Sequence, residues 1–224
     1  RRERHARRDL GVRVEGVRPR PRREARRLDG LLRGHPERGE VQERLQHALE
    51  IALEAGERIR DARHDRDFGH RYKGGEELVT DIDVAVDRQI GSRLETTFPG
   101  EARLSEELSP DRSVLAVEGP LWVVDPIDGT VNFAHGLAHV AVSIAWLEHG
   151  EARIGVVHAP FLGETYTAIR GEGAWRNGET IHASRRQDLS RSLVATGFPY
   201  RRDSRPPLMR RLAAVLDRCQ DVRR

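Results

Sequence analysis

The chain has 224 residues, 37% hydrophobic and 33% charged, enough for one large domain or two small ones with a real core. No run approaches the roughly 18 apolar residues that span a bilayer; the longest candidate is Val140–Leu147, and no apolar stretch near the start resembles a signal peptide, so an integral membrane protein is not expected. A single cysteine, Cys219, excludes an internal disulfide and a cysteine-built zinc site and makes the cytoplasm the default compartment.

The formal net charge of +3 hides an asymmetry, because residues 1–40 hold fourteen Arg against seven Asp or Glu and leave the remainder net acidic. Only one basic residue is a lysine, Lys73, so uniform arginine usage reads as a compositional habit rather than as selection for phosphate or nucleic acid. Residues 1–40 carry Arg, Gly and Pro with no periodic apolar face and are expected to be a disordered leader. A basic arm for nucleic acid is the weaker alternative, since acids are interspersed and no aromatic is present for stacking. Nucleic acid is therefore not expected as a partner.

Val41, Leu45, Ala48, Leu49, Ala52, Ala55 and Ile59 recur at spacings of three and four, which predicts an amphipathic helix over 41–63 and the start of the folded part. Residues 64–76 are polar and Gly-containing and read as a mobile loop. A second helical pattern follows Thr80 and runs to Thr97, stopped by Pro99-Gly100. Strands are expected at 102–105 and 121–125, the second delivering Asp125 at its end. Between Val140 and Ala183 the turn signals His149-Gly150, Leu162-Gly163 and Asn177-Gly178 break apolar runs into an antiparallel meander. Ser192–Phe198 reads as one more strand and Leu208–Leu216 as an amphipathic helix, after which the chain runs out in charged residues.

Three segments set acids beside turn chemistry: Val79-Thr80-Asp81-Ile82-Asp83, Leu104-Ser105-Glu106-Glu107 and Asp125-Pro126-Ile127-Asp128-Gly129-Thr130. Pro126 fixes one backbone angle and Gly129 permits a tight turn, so Asp125, Asp128 and the Ile127 carbonyl can face one volume. Such all-oxygen ligands suit hard cations, Mg²⁺ above all. A helix starting at Thr130 would add free amides and a positive dipole end as a phosphate seat. Taken singly, each segment has a plainer meaning: a surface turn, a solvated acidic pair at Glu106 and Glu107, a helix cap at Thr80, Asp81 or Asp83.

Taken together they resemble the inositol monophosphatase family of Mg²⁺-dependent, lithium-sensitive sugar-phosphate phosphatases. Trp122-Val123-Val124-Asp125-Pro126-Ile127-Asp128-Gly129-Thr130-Val131-Asn132-Phe133 is similar to its signature, Lys73 followed by Leu78-Val79-Thr80 and Asp83 to its upstream motif, and Ser105-Glu106-Glu107 to its middle one. Gly171-Glu172-Gly173-Ala174-Trp175 with Asn177-Gly178 looks like its meander turn. The resemblance implies an α+β fold, a layered α/β/α/β/α sandwich of the sugar-phosphatase type. Its metal-binding domain would cover 41–184, and a second α/β domain, begun at 185–224, would be incomplete.

It further implies two or three Mg²⁺ ions. Glu106, Asp125 and the Ile127 carbonyl would hold the first, and Asp125 and Asp128 would share a second. Thr130, hydrogen-bonded to Asp83, would position and help deprotonate the attacking water, with Glu107 supporting. Gly129 and Thr130 amides would bind phosphate and Lys73 would lie near a weaker third ion. The implied reaction is phosphomonoester hydrolysis, with inositol 1-phosphate as leading substrate. Histidinol phosphate, fructose 1,6-bisphosphate and phosphoadenosine phosphates are alternatives on the same scaffold. The partner is thus a small phosphorylated substrate, and the resemblance leaves room for a homodimer.

Family members continue into a Trp-Asp motif whose aspartate completes the second metal site. Trp146 precedes Leu147 and Trp175 precedes Arg176, so no such pair occurs in this sequence. We therefore expect a C-terminally truncated enzyme with turnover close to background, the alternative being an inactive fragment or degenerate paralogue acting as a binding module. His135 and His139, Cys219, Ser143 and Ser192 lack the partners a metal or nucleophile site needs and are read as ordinary residues, and Trp122, Trp146 and Trp175 as sheet packing.

Overall fold

The computed structural model describes residues 39–65, 68–73, 77–116, 119–198 and 202–223. The leader expected over 1–40 falls almost wholly outside these residues. The chain folds as a seven-stranded sheet with two helices packed on one face, the α+β architecture expected.

Helix α1 (Gly39–Asp65) buries Leu45, Ala48, Leu49, Ile51, Ala52, Ala55 and Ile59, the stripe that the three-and-four spacing marked. Its polar face meets solvent, so the helix forms because one side has somewhere dry to go. Strands β1 (His70–Lys73) and β2 (Glu77–Thr80) follow as an antiparallel hairpin in the register His70↔Thr80 to Lys73↔Glu77. This corrects the loop expected over 64–76. The first strand has no apolar alternation, Tyr72 being 62% exposed, and is held by backbone pairing to Leu78 and Val79, which do carry a buried face. The Asp81 N–H donates to the Gly69 carbonyl at 3.1 Å and closes the hairpin against the next helix.

Helix α2 (Asp81–Thr97) is set by a capping box at Thr80 and Asp83 and ends at Phe98, before Pro99-Gly100. It buries Val86, Ile90 and Leu94 toward the sheet. Strand β3 (Ala102–Ser105) pairs in parallel with β4 (Leu121–Asp128), and β4 with β5 (Ala141–Glu148) in antiparallel sense. The rest of the sheet is the expected meander: β6 (Glu151–Ala159), β7 (Glu164–Ile169), β8 (Gly173–Arg176) and β9 (Glu179–Ile181), in sequence order across the sheet. Two of its turns need left-handed backbone at a non-glycine residue, His149 (φ 52°) and Asn177 (φ 51°), each followed by glycine. That is the turn chemistry that matches strand twist.

Strand β4 is longer than the expected 121–125. It continues through Asp128, and its register on β5 shifts between Asp125 and Asp128. Pro126 lies inside that shift; a residue with no N–H cannot extend the ladder, and a bulge accommodates it. The expected strand 192–198 contracts to β10 (Leu193–Ala195), because its parallel partner, the unforeseen β11 (Asp221–Arg223), has only three residues. Between them helix α4 (Arg205–Leu216) begins earlier than expected, with Pro206 in the first turn where a missing N–H does no harm.

The core joins α1 and α2 to β4, β5 and β6 through Trp122, Trp146, Ile144, Val142 and Val156. Arg44 of α1 enters it: its guanidinium sits 4.4 Å from the Trp146 ring centroid and 5.0 Å from that of Phe98. It donates to Glu101 Oε1 at 2.6 Å, and Trp122 Nε1 donates to Glu101 Oε2 at 2.7 Å. A second close contact is Gly56, where a Cβ would lie 2.4 Å from Cδ2 of the buried His158. Helix α1 can approach β6 there only because position 56 has no side chain. We expect Gly56→Ala to lower unfolding free energy by about 1–3 kcal/mol through overpacking. Urea denaturation checks it, and an unchanged midpoint would contradict the close fit.

Candidate functional site

The site is assembled at the bulged end of β4. Leading apolar residues Leu121, Trp122 and Val124 are buried and anchor the strand, so Asp125 is delivered at a fixed place rather than on a free turn. Gly129 then adopts φ 90° and starts a short helix, α3 (Thr130–Ala134). A Cβ at Gly129 would stand 2.8 Å from the His139 carbonyl, so the backbone reversal demands glycine for both its angle and its space. The Asn132 amide donates to the same carbonyl at 2.7 Å and ties the reversal shut. The helix expected at Thr130 is present but has five residues, too few for a substantial macrodipole; it offers first-turn N–H groups instead.

Asp83 reaches this turn from the start of α2. It is 2% exposed, and both its oxygens are used. Oδ2 accepts from the Thr80 backbone N–H at 2.8 Å and from the Thr80 hydroxyl, while Oδ1 accepts from the Thr130 hydroxyl at 2.8 Å. Burial raises its pKa, and the hydrogen bonds from Thr80 and Thr130 oppose that rise. Thr130 Oγ1 also lies 3.1 Å from the Ile127 carbonyl oxygen. With one hydroxyl proton and the carboxylate closer, Thr130 donates to Asp83 and keeps its lone pairs for another proton.

Among the acids at this turn, Asp125 carries the largest pKa shift. Burial first, then the charge of Asp128, push its pKa up to about 6, with Asp83 adding a little; hydrogen bonding to Glu106 and the Ile127 backbone pulls the other way. Asp125 Oδ1 is buried without a hydrogen-bond partner. Asp125, Glu106 and Ser105 line one cleft of about 440 Å³, with Leu104, Pro110, Arg112, Val123 and Val124. The Ser105 hydroxyl is likewise buried with no partner.

These features fit a divalent cation. An orphaned carboxylate oxygen on Asp125, the Glu106 carboxyl hydrogen-bonded to that side chain and the adjacent Asp128 form an oxygen-only donor set that suits a hard cation. Among the described residues no three acidic or imidazole side chains stand round one point. His135 and His139 join no such cluster among the described residues. The Lys73 side chain lies outside what the structure describes, and Glu107, half-buried, sits beside Glu106 on the same arm. Sequence reasoning passed over Asn132, Ser105 and the groups that hold the Glu106 arm. Asn132 and Ser105 lay inside the quoted motifs without being given a role; the others carry no periodicity or motif.

The fold and this acid-rich bulge define the class. The inositol monophosphatase family profile matches residues 40–224, and the chain belongs to that family. It is 38% identical over 161 residues to an inositol monophosphatase of Dictyostelium discoideum, an alignment covering 72% of this chain and 59% of that protein. It is 41% identical over 124 residues to a fructose-1,6-bisphosphatase/inositol-1-monophosphatase of Thermotoga maritima, covering 55% and 46%. Among solved structures, the extragenic suppressor protein suhB of Bartonella henselae superposes with a TM-score of 0.71 at 29% identity, covering 80% of this chain and 68% of that one. The chain spans between about half and three-fifths of the length of such curated relatives.

Asp125 gives a sign that can be measured on the metal-free protein. Its folded pKa of about 6 lies above the roughly 3.9 of an unfolded aspartate, so between those values the folded chain holds a proton the unfolded chain has lost. Its contribution to stability is therefore fully present below about pH 4, is lost as pH rises through about 6, and is level above. We expect Asp125→Asn to stabilise the chelator-treated protein more at pH 7 than at pH 4.5, by on the order of 2 kcal/mol in urea denaturation. An equal effect at both pH values would remove the buried, repelled carboxylate from the description.

Proposed function

We propose that the chain is the Mg²⁺-binding part of a phosphomonoester hydrolase that converts inositol 1-phosphate to inositol and phosphate. The observation that carries this reading is the Asp83–Thr130 hydrogen bond set beside the orphaned Asp125 oxygen: a hydroxyl primed to take a proton, next to a place for a cation. Support for the substrate class comes from the relatives' names, inositol monophosphatase in one and fructose-1,6-bisphosphatase/inositol-1-monophosphatase in another. The second name keeps sugar bisphosphates as a further substrate to test.

In this proposal Glu106, Asp125 and the Ile127 carbonyl hold the first Mg²⁺, and Asp125 and Asp128 a second, with Lys73 near a weaker third. Bound Mg²⁺ would supply charge neutralisation at the phosphoryl oxygens and a more acidic water. Asp83 accepts the Thr130 hydroxyl hydrogen bond and so fixes which way the hydroxyl faces; Thr130 would orient the attacking water and, as it takes a proton from that water, pass its own proton to Asp83. The N–H groups of Gly129 and Thr130 would bind phosphate oxygens as the deprotonated water attacks phosphorus in line, the P–O bond to the leaving group breaks, and the alkoxide takes a proton from a second water to leave as the alcohol. Glu107 supports the arm that carries Glu106. Li⁺ inhibits by competing for a cation position. We place the protein in the cytoplasm, with residues 185–224 opening a second unit and the family resemblance leaving room for a homodimer. No described helix is long and apolar enough to cross a membrane.

Calorimetric titration of Mg²⁺ tests the site directly: Asp125→Asn should lose most of the affinity, and wild-type affinity in that variant would overturn the reading. Phosphate release from inositol 1-phosphate, measured in this chain and in any longer product of the same reading frame, tests the reaction. Thr130→Val should lower turnover at least about 10²-fold while leaving Mg²⁺ affinity intact. Mg²⁺-independent release, or none from either inositol 1-phosphate or fructose 1,6-bisphosphate, would count against it.

A further inference from the structure

Asp83 is the first of three residues spaced by four along one face of α2, followed by Asp87 and Gly91. Such residues lie one above another on a helix. Asp83 reaches the Thr130 turn. Asp87, which is 0% exposed, reaches the other arm of the site. Its Oδ2 accepts from the Leu108 backbone N–H at 2.8 Å, directly after Glu106 and Glu107. Its Oδ1 accepts from Arg103 Nη1 at 2.9 Å, two residues before Ser105 on β3. Arg103 also donates to the Asp87 carbonyl at 3.2 Å and to the Ser109 hydroxyl at 3.3 Å. The Ser105 N–H in turn donates to the Ser109 carbonyl at 2.9 Å and closes the loop. Every bond in this set grips residues on either side of Glu106 and Glu107. Gly91 makes room for it: a Cβ there would lie 2.1 Å from Arg103 Nη1.

We propose that Asp87 and Arg103 are positioning residues that hold the Glu106 arm at its distance from Asp125, and so set the affinity of the first cation site. This rests on the reading that Glu106 and Asp125 bind Mg²⁺. The mechanism is geometric. Glu106 is exposed and its place depends on the loop beneath it, whereas Asp125 is fixed by a buried strand. A buried carboxylate bonded to one guanidinium and one backbone N–H is charge-assisted at both oxygens, so the loop has one arrangement and the ion meets a carboxylate already in place. Asparagine at 87 has one acceptor oxygen where two are in use, so either Leu108 or Arg103 is released. Groups that orient metal ligands in this way typically change affinity about 10–100-fold when altered.

The experiment is Mg²⁺ titration calorimetry on four variants of the full chain, with unfolding midpoints measured alongside. Asp87→Asn should weaken Mg²⁺ binding about tenfold or more. Gly91→Ala leaves every acid in place, favours the helix, and pushes the Arg103 guanidinium off Asp87; it should weaken binding in the same direction, and it decides the matter if Asp87→Asn does not fold. Arg44→Met breaks the buried Arg44–Glu101 pair away from the site, and should lower the unfolding midpoint with Mg²⁺ affinity unchanged. Asp125→Asn is the reference. If it loses Mg²⁺ while folded Asp87→Asn or Gly91→Ala binds as wild type, the latch is wrong and the metal site stands. If Asp125→Asn binds as wild type, the metal reading falls and takes the latch with it. Equal loss in Arg44→Met would mean that general destabilisation explains the effect, which also overturns the proposal.

Discussion

The Asp83 carboxylate is the point on which the rest of the structure turns. One oxygen completes the N-terminal cap of α2 through Thr80, and the other holds the Thr130 hydroxyl that opens α3. A helix start and a loop with chemistry on it are thus joined by one buried side chain. An unpaired acid there would be costly to bury; three hydrogen bonds from two threonines oppose that cost without a neutralising base, although burial still raises the Asp83 pKa. The same interaction explains why the first helical turn of α2 and the bulge of β4 keep a fixed relation despite lying 47 residues apart in sequence.

The sheet provides the other half of the constraint. Strand β4 is buried along Leu121, Trp122, Val124 and Ile127, so its register on β5 cannot slip without turning apolar side chains outward. Pro126 breaks the ladder within that rigid strand, which turns the Ile127 carbonyl toward Thr130 and leaves Asp125 largely buried beside Asp128, so that burial first and the Asp128 charge second raise the Asp125 pKa. The fold thereby stores electrostatic repulsion at one place. That repulsion is relieved by a proton at low pH and, in the proposed function, by a cation at neutral pH.

Much of this was legible in the sequence where a local rule operates. The α1 stripe from Val41 to Ile59 follows helical periodicity, and the meander after Val140 follows its glycine turns, because both signals sit within a few residues of each other. The Asp125–Thr130 segment was legible through the backbone demands of Pro126 and Gly129. Three features were not. Strand β1 has no apolar face of its own and exists by pairing with β2; β11 is three residues that require β10 to be a strand at all; and the end of β4 passes through a proline that reads locally as a stop. Asp83 was legible as a cap and, through the resemblance, as a partner of Thr130, and it is both. Asp87 and Arg103 were invisible for a different reason. Each looks like one more charged residue on a third-charged chain, and only the tertiary fold shows that they face each other.

Burial orders these acids by the work each can do. Asp83 and Asp87 are almost wholly enclosed, with their oxygens committed to hydroxyl, amide and guanidinium donors; such groups are poor candidates for binding an exchangeable ion and good ones for fixing where other groups stand. Glu106 and Asp128 are exposed, where solvent and a ligand can reach them. Asp125 lies between the two, partly buried with one oxygen orphaned, so it is held like the first pair and incomplete in a way that suits it to join the second. A site built wholly from enclosed acids would repel its own charge beyond what hydrogen bonds could offset, and one built wholly from exposed acids would bind without a defined geometry. The gradient along α2, β3 and β4 avoids both extremes: the helix face carries the fixed acids, the strand ends carry the open ones, and Asp125 connects them.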